Sequence, residues 1–167
     1  MRSVFALLAI AGFCGLAALA SSAVANVVAE AQPASLVDGG SLTGAARIRA
    51  GEINCPHCDL HGADLSHQCV EHGNLTGADF DAAVVRSMCM AFADLSSASL
   101  RKTDLTGADL TGANFAHSDL SGAKLVLANL SGADFSTANG LTQAQLDHAC
   151  GDAATHLPTG LHVKFCL

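Results

Sequence analysis

The side chains of this 167-residue chain best suited to chemistry are its cysteines and histidines. Cys55, Cys58, Cys69, Cys89, Cys150 and Cys166 lie downstream of an apolar leader, and His57, His61, His67 and His72 crowd into one short stretch. Thiols at Cys-x-x-Cys spacing, as in Cys55-Pro56-His57-Cys58, could exchange disulfides where a helix N-terminus lowers the pKa of the first thiol. Thiols and imidazoles held on one surface could bind a metal ion. No Gly-x-Ser-x-Gly, His-Glu-x-x-His or phosphate-binding glycine loop occurs, so the chain does not read as an enzyme. Whether the thiols react, bind metal or only staple the fold depends on the elements that hold them.

The leader comes first. Arg2, the apolar run Val4 to Leu19, and Ala23-Val24-Ala25 before Asn26 have the form of a secretory signal over residues 1–25. The run is too short and too rich in Ala and Gly to span a membrane, so no stable span is expected once the signal is removed. Phe13 stands before Cys14 where lipidation requires a small residue. The chain is therefore expected in the periplasm or the medium, where an even set of six cysteines favours disulfides. Residues 26–167 are enough for one domain. With 15 acidic against 8 basic residues, no Trp and no Tyr, the surface excludes direct nucleic-acid binding, which needs basic grooves and stacking platforms.

The elements are announced by a period. From Leu60 to Phe135 every fifth residue is apolar, through Leu65, Val70, Leu75, Phe80, Val85, Met90 and on, sixteen positions without a break. Five matches neither the 3.6 of a helix nor the 2.0 of a flat strand and marks a repeat architecture. Around each apolar centre, Ala stands two places before in ten of sixteen units, and Asp or Asn one place before in eleven. Ser or Thr follows in half of them, and Gly recurs two places after. One large and one small residue face inward per unit, while Gly and Asp/Asn suit sharp corners. A narrow solenoid follows, in which stacked turns pair as in a parallel sheet and each turn depends on its neighbours and on capped ends.

Tandem Ala-Asp/Asn-Leu-x-x, cleanest over Gly107 to Phe115, resembles the pentapeptide repeat family. The resemblance implies an all-β solenoid, a right-handed quadrilateral β-helix with four units per coil. Residues 58–137 would then make about four coils, a rod about 20 Å long. The resemblance also implies that residues twenty apart are stacked, which sets Cys69 beside Cys89 as an oxidised staple between the first two coils. On the same face Gln68 and Met88 replace the usual Ala, and His67, Glu71, His72 and Phe92 lie at or near corners. This set, His67, Gln68, Cys69, Glu71, His72, Met88, Cys89 and Phe92, is the candidate interaction face, with the larger Gln and Met swelling the wall. His67, Cys69, His72 and Cys89 are its candidate metal ligands, although no zinc spacing is present and a disulfide would consume the thiols; no cofactor is expected.

Cys55-Pro56-His57-Cys58 is similar to the active-site motif of periplasmic thiol oxidases, but no βαβ pattern surrounds it. It also resembles a frequent opening of pentapeptide repeat domains, so Cys55 and Cys58 read as capping or disulfide residues. Cys150 and Cys166 remain as a natural pair, although six cysteines allow fifteen connectivities. Some cytoplasmic family members mimic duplex DNA and bind gyrase; here the acidic columns are short and interrupted by Lys124, Val84 and the cysteines.

The ends read as caps. Thr142 as N-cap, Gln145 as its capping-box partner and Leu141 with Leu146 as staple predict a helix from about Gln143 to Cys150. The division is thus signal 1–25, flexible lead-in 26–40, N-terminal cap 41–57 with a short helix, repeat 58–137, and C-terminal helical cap and tail 138–167. The expected role is a non-catalytic exported scaffold that binds an unidentified protein partner. A periplasmic thiol-redox protein using Cys55/Cys58 or Cys69/Cys89, and a gyrase-binding DNA mimic, are the alternatives.

Overall fold

One repeat accounts for its whole backbone. In the five residues Asp94 to Ala98, the Asp94 N–H donates to Gly73 O in the previous coil (2.8 Å), and Leu95 and Ser97 donate to Asn114 O and Ala116 O in the next (both 2.8 Å). Ala98 closes the corner on Leu95 O (3.1 Å). The remaining donor, Ser96 N–H, goes to Asp94 Oδ1 (3.0 Å). No donor is left over, which is the condition a buried backbone must meet. The computed structural model describes residues 43–167, and this pattern runs through most of them. The signal, the lead-in and residues 41–42 lie outside the described residues.

The rungs fix the coil. Parallel bridges join residues twenty apart without exception from Asn54↔Asn74 to Asp119↔Asn139, so four fives complete one turn. Each five contributes one bridging residue between two-residue corners, so continuous strands do not form and the walls are ladders of single rungs. The ladder opens one unit before the apolar series does. Asn54 bridges Asn74, and Cys55 takes the inward centre with no exposed surface.

Every centre from Cys55 to Phe135 is at most 1% exposed, and the small column beside it (Ala78, Ala83, Ala93, Ala108, Ala133) is equally buried. Phe115 and Phe135 stack inside with centroids 4.4 Å apart. The interior is therefore solid side chain. Met88 belongs to it. That residue occupies the inward small column and is fully buried, so it offers no surface to the candidate face, and its unbranched chain adapts to the core.

Helix α1 (Gly44–Arg49) closes the first coil. Thr43 caps it by accepting from Ala46 N–H (3.2 Å), and Ala46 and Ile48 turn inward. Gly44 is needed for closeness, since a Cβ there would lie 2.6 Å from Asp59 O. Arg47 and Arg49 donate to the end carbonyls Asn54 O and Asp64 O (3.1 and 2.7 Å).

At the other end, helix α2 (Gln143–Leu146) is shorter than its sequence pattern suggests. The reason is the ladder. His148 O and Cys150 O accept from Leu127 and Leu130, and Cys150 bridges Asn129, so the chain is drawn back into coil geometry before the helix can extend. The insertion shows as register: Asn129↔Cys150 and Asp134↔His156 replace the twenty-residue step. Strand β1 (Cys150–Gly151) then pairs in parallel with β2 (Lys164–Phe165). Among the described residues, no helix is long and apolar enough to cross a membrane.

Candidate functional site

The corners carry the exposed chemistry, and their backbone explains which residues stand there. The second corner residue of every unit from His57 to Gly132 has positive φ, and ten of these sixteen are not glycine. His57, His67, His72 and His117 are among them, with φ between 56 and 62°. Histidine is one of the residue types that tolerate this region, which accounts for four of the scattered imidazoles without any catalytic role. Phe92 (φ 57°) and Leu127 (φ 59°) are harder to accommodate, and both stay exposed, at 55% and 77%.

The rings help fill the column. His72 stacks on Phe92 with centroids 5.0 Å apart and planes 8° from parallel. Phe92 in turn covers Gly112, where a Cβ would lie 2.5 Å from its ring, and His57 covers Gly77 in the same manner. The side chains on the candidate face divide accordingly. His67, Cys69, Glu71, His72 and Phe92 are exposed, Gln68 and Cys89 are half-buried, and Met88 is absent from the surface.

The cysteines stand in three pairs, Cys55 with Cys58, Cys69 with Cys89 and Cys150 with Cys166, with Cα separations of 5.4, 4.5 and 4.8 Å. All three lie in the span of a disulfide. They differ in access. Cys55 and Cys58 are buried, Cys150 and Cys166 are half-buried, and Cys69 opens to solvent. The candidate ligand set His67, Cys69, His72, Cys89 is not assembled among the described residues. The donor atoms that do lie within 4.8 Å of one another are those of Cys69, Glu71 and Cys89, while His72 is turned onto Phe92.

The acidic columns face inward in their chemistry. All eleven Asp or Asn residues in the pre-centre position accept, through Oδ1, from the N–H two residues on, at 2.9 to 3.2 Å. Where Ser99 takes that place, Arg101 N–H finds Asp81 Oδ1 of the previous coil instead (3.1 Å). Asp81 is also held by the Arg101 guanidinium (Nε at 2.8 Å) and by the Ser99 hydroxyl. Burial would raise its pKa, but these donors prevail and lower it. Asp104 takes Arg86 (2.9 and 2.6 Å) and has Lys124 at 3.8 Å. Each pre-centre Asp or Asn thus commits one oxygen to a backbone N–H, and arginine holds the second oxygen at Asp81 and Asp104. The sequence pattern places Asp and Asn at the corners, whereas they stand on the bridging rungs and reach the corner N–H from there; the i, i+2 spacing to a donor with no other partner was the available signal.

The family profile described as pentapeptide repeats matches residues 58–91, 89–125 and 113–150, in eight copies. No curated protein sequence matches the chain. Among solved structures, a pentapeptide repeat protein (Rfr23) from the cyanobacterium Cyanothece 51142 is similar at 23% identity and a TM-score of 0.54, over 66% of this chain and 95% of that one. HetL from the cyanobacterium Nostoc, a pentapeptide repeat protein involved in heterocyst differentiation regulation, is similar at 31% identity and a TM-score of 0.53. That match covers 65% of this chain and spans about half of HetL, 51%. QnrB1, a plasmid-mediated fluoroquinolone resistance protein, aligns at 18% identity and a TM-score of 0.34, too distant to carry an argument about function.

Proposed function

Because the chain belongs to the pentapeptide repeat family, whose members adopt the right-handed quadrilateral β-helix and are generally non-enzymatic, we propose that it works as an exported, non-catalytic rod that binds another protein through one wall. The rod is the four-coil stack closed by α1 and α2. The wall runs from the corner at His67 across Cys69 and Cys89 to the His72–Phe92 stack. The observation that carries this reading is the solid interior: centres from Cys55 to Phe135 are at most 1% exposed, so the surface is what another molecule can meet. A large aromatic left half-exposed in a strained corner is the kind of anchor that interfaces use. HetL's regulatory involvement is compatible with a role in binding. The gyrase reading gains nothing from the acidic columns, which are short and interrupted by Lys124, Val84 and the cysteines.

Export to an oxidising compartment would favour disulfides at all three cysteine pairs and leave no thiol free for catalysis unless a dithiol reduces one. The test is a capture from the exported fraction, using the full chain as bait. The reading expects a partner retained by the wild type and lost by the combined Glu71→Ala and Phe92→Ala variant, with circular dichroism unchanged. Equal retention by both would discard the wall. Fractionation that leaves the chain in the cytoplasm, with residues 1–25 still attached, would discard export.

A further inference from the structure

The repeat lattice does something at Cys69 that it does at no other described corner. In eleven units an Asp or Asn oxygen supports the corner N–H two residues on; Cys69 and Cys89 bring no such oxygen, so both coils give up that support at adjacent rungs. The same i, i+2 closeness brings the Glu71 carboxylate back over Cys69, and the twenty-residue step adds Cys89 from the coil above. Two sulfurs and a carboxylate oxygen therefore lie within 4.8 Å, on the exposed wall. The other such cluster, His61 with Asp79 and Asp81, is spent, because Arg101 and Ser99 occupy the Asp81 oxygens.

We propose that Cys69, Cys89 and Glu71 form a thiol-gated site for a thiophilic divalent cation of the zinc type. Closed, the site is the Cys69–Cys89 disulfide. Opening takes two electrons and two protons from a dithiol, which leaves as its own disulfide while Cys69 and Cys89 become thiols. The cation then displaces both thiol protons and is held by two thiolates and the Glu71 carboxylate, with a fourth tetrahedral position left to water. Two sulfurs select for thiophilic ions, and the added carboxylate favours zinc(II) over copper(I). Access favours this pair for opening, since Cys69 is exposed whereas Cys55 and Cys58 are buried and Cys150 and Cys166 are both half-buried. The site does not depend on the proposed partner.

The experiment uses the full exported chain, reduced mildly, with alkylation mapping to establish which thiols are free. Zinc(II) alone is the probe, in competition with a chromophoric chelator, and cobalt(II) gives the thiolate-to-metal absorption. The expected result is free Cys69 and Cys89, with the other four protected, and one equivalent bound by the reduced chain but none by the oxidised one. Cys69→Ser and Cys89→Ser abolish the thiolate absorption. Glu71→Gln weakens binding at least about tenfold, the least that disturbing a metal shell brings. Glu71 is exposed, so this variant should keep its fold, and a matching melting curve checks that. No binding by the reduced chain, binding unchanged by Glu71→Gln, or first reduction at another pair would each overturn the proposal.

Discussion

Asp104 collects more charge than its neighbours in the pre-centre column. Its carboxylate accepts from Thr106 N–H (3.2 Å) and hydroxyl and from Arg86, with Lys124 behind. Burial alone would raise its pKa, but the Arg86 and Thr106 hydrogen bonds outweigh it and hold it at about 2, against 3.8 for an ordinary Asp. A depressed folded-state pKa contributes stability that is complete above the unfolded value and lost as pH falls through the folded one. Acid should therefore remove at most about 2 kcal/mol between pH 3.8 and 2, solvent around exposed Arg86 reducing the figure. Asp104→Asn should flatten denaturant midpoints across that window; an unchanged slope would count against the ion pair. The same device with only Thr111 as donor is tested at Asp109, which accepts from Thr111 N–H (3.1 Å) and hydroxyl. Asp109→Ala should cost about 1–2 kcal/mol in chemical unfolding, and Asp109→Asn, which keeps Oδ1, should recover most of it. Such bonds were half-legible. The eleven Asp/Asn positions read as corners, but the structure sets them on the rungs, where each closes the free N–H of the corner that follows. Met88 reads as part of the contact face because a long side chain stands there where small Ala is usual, yet it is fully buried and offers no surface.

At the scale of one five, the corner is a left-handed residue whose cost depends on what stacks above it. Gly62 has φ 62° and open space, whereas Gly112 has φ 64° and the Phe92 ring 2.5 Å from any added Cβ. Gly62→Ala should pay only the left-handed penalty, about 1–2 kcal/mol. Gly112→Ala should cost more, and the excess should vanish in a Phe92→Ala background, because the two residues share one contact. A persistent excess would mean that the ring is not the obstacle. Caps follow the same logic of filling a vacant rung. Gln145 accepts from Thr142 N–H (2.8 Å), and its Nε2 reaches Leu120 O and Ala123 O (2.9 Å each), standing in for the backbone of a further coil. Asp152 does likewise for Gly132 N–H (2.9 Å). Gln145→Ala should cost about 1–3 kcal/mol and speed amide exchange first in the last coil. The capping residues Thr142 and Gln145 were readable as a helix start. The early end of α2 was not, because it follows from the ladder recapturing Cys150 rather than from any stop signal. Cys55 was likewise outside the apolar series as read, since a cysteine serves as a small centre only once the first coil exists.

Across the whole rod, stability and surface both descend from a single register. The period of five is local and visible in sequence; the number of fives per coil is not, because it depends on how sharply successive corners turn. Bridges at twenty decide it, and with it the partners of every exposed residue, Cys69 with Cys89 and His72 with Phe92 among them. The direct measurement is scalar coupling across backbone hydrogen bonds by NMR on the full chain. Correlations should join Leu95 N to the Asn114 carbonyl and Asp94 N to the Gly73 carbonyl, with the same offsets repeated along the ladder. Couplings displaced by five residues in either direction, or helical couplings to the fourth residue before, would contradict the four-sided coil and every stacking drawn from it.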